Sequence, residues 1–295
     1  MTTVSPDEQD AGTGITPGAC LDLDDLERRL PELRERYREA PPFPHIAMDD
    51  FLRADVAHEA ALEVPPVDRE HWVNYVHANE RKFANTDPTT WGPTLQAVYQ
   101  ELTSPRFLDF LGGLTGIDGL IADPTLEGAG LHQTRAGGFL NIHADFTVHP
   151  HHRHWHRRAN LLVYLNEDWP ASYGGDLELW SRDMSTRVEV VAPIANRAVV
   201  FTTGADTWHG HPDPLRCPPD RARRSLAIYY YTVEDRPVAR STEYRARPGD
   251  GPKAVLIFLD KELVRAYDWI KRRVGLSDER SSRLLGGFGR KRSTD

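Results

Sequence analysis

The chain has 295 residues, of which 39% are hydrophobic and 27% charged, enough to bury a sizeable globular core. A formal net charge of −8 disfavours a broad nucleic-acid surface, and two cysteines, Cys20 and Cys217, exclude a disulfide framework or a cysteine-built zinc site. No apolar run reaches the length of a membrane span, and Met1–Gly18 lacks the apolar segment of a secretory signal; a cytoplasmic protein without membrane or nucleic-acid partners is expected.

Residues 1–20 hold Thr, Ser, Pro, Gly and acids and read as a disordered tail. Over 23–39, Leu26, Leu30, Leu33 and Tyr37 recur at helical spacing, with Pro31 either splitting the segment or opening a second helix. The prolines of 41–44 end it, and His45–Met48 reads as a short strand. Helical patterns follow at 55–64 and 91–113, the second carrying Leu95, Val98, Tyr99 and Leu102, and these helices are expected to back a sheet.

From Gly128 the pattern changes. Leu131–Arg135, Phe139–Asp145, Asn160–Leu165, Asp176–Trp180, Arg187–Val191, Ala198–Thr203 and Leu226–Thr232 are short, rich in Val, Leu and Tyr, and divided by Gly, Pro and Asp, so they read as strands. Gly174-Gly175 and 193–196 mark turns. So many strands in so short a stretch predict a mostly β fold with flanking helices, its core a jelly roll or barrel. Residues 236–252 read as a connection, and Leu259, Leu263, Tyr267, Ile270 and Val274 as the apolar stripe of a last helix. A single domain is expected over 21–275, with its core at 128–232, followed by a basic flexible tail at 276–295.

His143 and Asp145 stand two residues apart on a predicted strand, where side chains i and i+2 share a face, so both can reach one ion. His209, in Trp208-His209-Gly210-His211, offers another imidazole, with His211 as its rival. Two histidines and a carboxylate with open coordination positions suit the Fe(II) of non-haem oxygenases. Arg224 opens the run Arg224–Tyr231, and Arg221 and Arg223 stand close enough to compete with it. The tract 149–158 is rich in histidine and reads either as a loop over the metal or as a solvent-facing loop.

The stretches His143-Ala144-Asp145, Asn160–Trp169, Tyr173–Trp180, Asn196–Phe201, Trp208-His209 and Arg224–Tyr231, in this order, resemble the double-stranded β-helix (jelly roll or cupin-like) core of Fe(II)/2-oxoglutarate-dependent dioxygenases, most of all the prolyl-hydroxylase-like branch. The resemblance covers about a third of the chain, residues 128–232. It implies Fe(II) held by His143, Asp145 and His209, with 2-oxoglutarate and O2 as co-substrates and ascorbate as a stimulant. The presence of Asp145 disfavours halogenation, because chloride-transferring relatives vacate that position. Arg224 and Tyr164 would bind the distal carboxylate of 2-oxoglutarate, with Gln133 and Asn160 as further contacts. Asn141, Arg157 and Arg158 would face a polar or anionic substrate. The family places its basic residue nearer to the histidine, and the longer connection over 212–220 is what keeps Arg221 and Arg223 in contention. The implied activity is hydroxylation of an unactivated C–H bond in a small or carrier-bound metabolite, as in natural-product biosynthesis. Peptidyl or protein hydroxylation is the alternative, and a jelly-roll binding protein without enzymatic activity is the third reading.

Overall fold

A computed structural model describes residues 18–68 and 70–257. The helix expected at 259–274 and the tail at 276–295 lie outside the described residues. In chain order the elements are α1 (Leu23–Arg28), α2 (Leu30–Glu39), β1 (His45–Met48), α3 (Ala54–Leu62), β2 (Val73–Val76), β3 (Glu80–Asn85), α4 (Pro93–Leu102), α5 (Pro105–Thr115), β4 (Ile121–Ala122) and β5 (Gly130–Arg135). There follow β6 (Phe139–Ala144), β7 (Trp155–Tyr164), β8 (Leu177–Trp180), β9 (Arg187–Val191), β10 (Ala198–Thr202), β11 (His209–His211), β12 (Ala222–Val233) and β13 (Glu243–Tyr244).

The helical boundaries follow from local chemistry. Pro31 sits in the first turn of α2, where its missing N–H costs nothing, so the 23–39 segment divides in front of it. The single helix expected over 91–113 is broken in the same way. Ser104 accepts the Phe107 N–H, Pro105 opens α5, and Gly116 ends it in the left-handed conformation at φ 72°. Helices of this length are marginal alone and are held by packing. Leu33, Leu95, Leu102, Phe107 and Leu111 join Leu161, Val163, Leu226, Ile228 and Tyr230 in one buried core, with the Tyr230 hydroxyl donating to Leu102 O at 3.0 Å. Each fully buried Leu contributes about 1.5–3 kcal/mol. Cys20, inside the segment read as a tail, is buried. The backbone N–H groups of Gly18, Cys20 and Leu21 donate to the buried Glu101 carboxylate at 2.8–3.2 Å.

The strands run antiparallel in the order β1-β10-β7-β12-β5-β3-β6-β11-β8-β9, with β2 on β3, β4 on β12 and β13 on β6. The path curls until β8 and β11 face β7 and β10. Tyr164, Leu177, Leu179, Val199 and Phe201 form one buried cluster, and the Phe201 and His209 rings lie 4.6 Å apart. This is a double-stranded β-helix. Helices pack on the outer face of β7, β10 and β12, and the inner face encloses the polar residues described below. The seven expected strands are present, two of them longer: β7 starts at Trp155 and β12 at Ala222. The β2–β3 hairpin was not anticipated. Its second strand, which threads between β5 and β6, carries Glu80, Arg81 and Lys82 in place of alternating apolar residues. Among the described residues no helix is long and apolar enough to cross a membrane.

The histidine-rich segment after β6 is largely occupied with its own architecture. His149 is buried, with Nε2 donating to Asp123 Oδ2 at 3.0 Å and Nδ1 accepting from the His151 and His152 backbone N–H groups. The His152 ring stacks on Trp155 at 4.1 Å, and His156 pairs with Glu234. Burial would raise the Asp123 carboxyl, but hydrogen bonds from His149, Thr125 and the Glu127 backbone outweigh it and bring it down to about 2.

Two outcomes are expected. Glu101→Ala strands buried N–H donors and should cost about 3 kcal/mol, read as a clear fall in thermal midpoint; an unchanged midpoint would refute the anchoring role. Asp123 has a folded pKa below its unfolded one, so its contribution, about 2 kcal/mol, is present above pH 4 and lost as pH falls towards 2. The stability gap between wild type and Asp123→Asn should therefore narrow across that window in acid-unfolding curves.

Candidate metal centre

β6 and β11 pair with His209 directly opposite His143, and Asp145 follows one residue past the end of β6. Residues opposite one another on neighbouring strands share a face, so strand pairing brings the second imidazole, 66 positions later in the chain, to the first. All three side chains are buried, and one ligand atom from each lies within 4.8 Å of the others. His143 Nε2 is 3.6 Å from Asp145 Oδ1, and His209 Nε2 is 3.4 Å from Asp145 Oδ2. Both carboxylate distances fall below the roughly 4.2 Å that separates opposed ligands each about 2.1 Å from one ion, and the three groups are placed so that they could hold a metal ion.

The imidazoles are set for this task. His143 Nδ1 lies 2.9 Å from Asn141 O, and His209 Nδ1 lies 2.9 Å from Thr207 O. A carbonyl only accepts, so each Nδ1 carries the proton and each Nε2 presents its lone pair. Burial, followed by the neighbouring His143, lowers His209 to about 4, which keeps it neutral. Burial would raise Asp145, but Arg157, His209 and His143 hold it well below the usual carboxylate range. Two imidazoles with one carboxylate make the donor set that suits Fe(II). His211 is buried two residues on, and its Nδ1 has no hydrogen-bond partner.

Asn160 identifies the metal-facing side of β7, because its Nδ2 donates to Asp145 Oδ2 at 2.8 Å. Tyr164 lies four residues on and shares that side. β12 pairs Ser225 with Tyr164, which turns Arg223 inward and Arg224 outward. Arg223 is buried, donates from Nη2 to the Tyr164 hydroxyl at 3.1 Å and from Nε to Gly175 O at 2.7 Å. Gly175 has φ +86°, and a Cβ there would come within 2.9 Å of Arg223 Cδ, so the Gly174-Gly175 turn is what admits the arginine. Arg224 pairs in register with Gln133 on the opposite face, where Gln133 donates to Pro65 O. The structure thus separates Arg224 and Gln133 from the metal and brings Arg223 to Tyr164 instead. Arg221 points to the carbonyls of Glu167 and Asp168.

Of the residues expected to face substrate, Arg157 is buried against Asp145, with Nη2 3.0 Å from Oδ2. Arg158 points away, to Thr232 and Glu234. Asn141 donates to Ala78 O and Asn79 Oδ1. The sequence reading passed over three inner-face residues, His132, Lys82 and Glu80. His132 pairs with Ser225 across β5 and β12 and with Ala84 across β3, which puts Lys82 and Glu80 on the same side. Glu80 bridges Lys82 Nζ at 3.2 Å and His77 Nε2 at 2.8 Å. Burial opposes ionisation of Glu80, yet Lys82 and His77 bring it down to about 2. The signal available was the alternation Glu80-x-Lys82-x-Ala84. His132 is lowered to about 3 by burial and then by Lys82, and its Nε2, like His211 Nδ1, is buried without a partner. Both histidines feel the Arg223 charge, so unpartnered polar atoms surround the arginine, as a site for an oxygen-rich anion requires.

Residues 129–231 match the model of the 2OG-Fe(II) oxygenase superfamily. No curated protein matches the chain. Among solved structures, a Pseudomonas putida prolyl-4-hydroxylase is 19% identical, aligning 69% of this chain with 99% of its own at a TM-score of 0.45. A Trichoplax adhaerens prolyl hydroxylase, solved with a hypoxia inducible factor oxygen degradation domain peptide fragment, is 15% identical over 71% and 91% of the two chains, at 0.48. HygX from Streptomyces hygroscopicus, solved with nickel, 2-oxoglutarate and hygromycin B, is 13% identical over 64% and 82%, at 0.43. The matched residues contain β6, β11 and the inner face of β12 and carry the buried His-Asp-His triad, so residues 129–231 form a 2OG-Fe(II) oxygenase domain, which supports a dioxygenase dependent on 2-oxoglutarate.

Proposed function

We propose that the enzyme hydroxylates an unactivated C–H bond of a small or carrier-bound metabolite, with Arg223 and Tyr164 holding the distal carboxylate of 2-oxoglutarate. The observation that carries the co-substrate assignment is the buried Arg223–Tyr164 pair on the metal-facing side of β12 and β7. A guanidinium fork matches a carboxylate with two parallel hydrogen bonds, and a phenol adds a third donor. When bound, Fe(II) and 2-oxoglutarate supply the oxidising chemistry, in which O2 is consumed, 2-oxoglutarate becomes succinate and CO2, and substrate C–H becomes C–OH. His143 and His209 offer Nε2 lone pairs fixed by backbone carbonyls, and Asp145 offers a carboxylate kept ionised by its neighbours. The buried strand walls limit water at the reacting centre.

The small-metabolite reading rests on the covered edge of β6. β3 pairs with β6 at Leu140 and Phe139, and β13 pairs with the same strand at Ala144 and His143. An extended peptide that docks by adding a strand needs an open edge, and beside the metal that edge is taken. The Tyr244 ring stands 5.5 Å from that of His143, and Lys82, Glu80 and His77 add a charged wall. Such a lining favours a compact polar molecule. Parallel screens of metabolites and proline-containing peptides, scored by succinate release and product mass, test this; turnover confined to peptides would replace it with peptidyl hydroxylation.

Asp145→Ala should weaken Ni(II) binding by roughly a hundredfold or more in calorimetry and abolish succinate release. Arg223→Ala should raise the KM for 2-oxoglutarate about ten- to a hundredfold with little change in metal affinity, while Arg224→Ala leaves that KM near wild type. The reverse pattern would return the carboxylate to Arg224.

A further inference from the structure

Arg157 is a buried arginine that the reaction as described does not use. It is 1% exposed, and its guanidinium lies 3.3 Å from the centre of the Tyr229 ring and 4.7 Å from that of Phe146. Burying a charge of this kind is costly unless it is paired. Its Nε donates to Asn160 Oδ1 at 2.8 Å, its Nη2 stands 3.0 Å from Asp145 Oδ2, and Asn160 Nδ2 donates to that same Oδ2 at 2.8 Å. The three side chains close a triangle behind the metal ligand.

We infer that Arg157 is a positioning residue that, through Asn160, fixes Asp145 to ligate metal with one oxygen only. A guanidinium can only donate, so the Asn160 carbonyl must face Arg157 and its amide nitrogen must face Asp145. Arg157 therefore sets the orientation of the amide as well as placing a positive charge beside the carboxylate. Both effects fall on Oδ2. Oδ2 also stands 3.4 Å from His209 Nε2, but it already faces both β7 donors, whereas Oδ1, 3.6 Å from His143 Nε2, faces neither of them and is the oxygen left free to ligate. A facial triad works by leaving coordination positions open. A carboxylate free to rotate and bind through both oxygens would take one of those positions. Arg157 thus guards the vacancies on which co-substrate binding depends, without touching the co-substrate. The aromatic faces of Tyr229 and Phe146 keep the guanidinium in place, and the Thr203 hydroxyl adds a long contact to Asn160 Oδ1 at 3.4 Å.

The test uses the full chain loaded with Co(II), whose visible absorption reports coordination number and geometry. Arg157→Gln and Asn160→Ala should each change the Co(II) spectrum and weaken Co(II) binding roughly tenfold or more, the usual range for partners behind a ligand. The double variant should lose less than the product of the two, because both act on one oxygen. Arg157→Lys keeps the charge without the fork and should recover part of the affinity. Calorimetric titration of 2-oxoglutarate into the Co(II) forms should show weaker binding in Arg157→Gln. Wild-type spectra and affinities in folded Arg157→Gln and Asn160→Ala would overturn the inference. If Arg157→Gln fails to fold by circular dichroism, Asn160→Ala decides alone, an unchanged spectrum counting against it. The inference rests on the metal centre and not on the proposed substrate: a wild-type protein that binds no Co(II) would remove the centre itself, whereas failed substrate screens would leave the Co(II) results standing.

Discussion

A carboxylate buried between two imidazoles is the constraint on which the site depends. Asp145 is 8% exposed, and an ionised group withdrawn so far from water costs several kcal/mol unless charge and hydrogen bonds replace the lost hydration. The replacements come from several elements. Arg157 supplies charge and Asn160 a donor from β7, while His143 on β6 and His209 on β11 flank the carboxylate with the Nε2 atoms that would share its metal. None is useful unless the roll closes, so the electrostatics of the metal centre and the curl of the sheet require each other.

The same strands serve two opposed purposes. On β12, Leu226, Ile228 and Tyr230 face the helices in an apolar core, while Arg223, Ser225 and Tyr229 face the interior of the roll. On β7, Leu161 and Val163 alternate with Asn160 and Tyr164. The apolar side supplies stability and the polar side supplies chemistry, and period-two alternation keeps them apart. Functional groups fixed to strands, with helices behind them, hold their positions more closely than groups on loops. The interior is therefore a set of paired charges, Glu80 with Lys82 and His77, Asp145 with Arg157, in which some buried polar atoms, among them His132 Nε2, His211 Nδ1 and both terminal nitrogens of Arg157, lack a hydrogen-bond partner.

Much of this was legible in the residues. The β-rich stretch from Gly128, the strand at Arg187–Val191, the His143-x-Asp145 pair and the second histidine at 209 are local patterns; the fold forms that strand and brings the two histidines and the carboxylate together. They are readable because turns and alternation are written in short windows of chain. The β2–β3 hairpin was not, because its inward residues are Glu80 and Lys82, charged groups that a sequence reading assigns to solvent.

What the tertiary structure alone decided is which way individual side chains point. Arg223 and Arg224 are adjacent, and an irregular connection over 212–221 separates them from His209, so counting residues cannot carry the phase of β12 across it. The pairing of Ser225 with Tyr164 sets that phase and turns Arg223 inward. Alternation from Asn160 would put Arg158 on the metal side, but a bulge opposite Tyr230 and Tyr231 advances the strand by one residue and delivers Arg157 instead. The sequence determined the chemical inventory and the strands that carry it. Register and bulges, set by partners distant in the chain, determined which members of that inventory meet at the metal, because a one-residue slip exchanges the two faces of a strand.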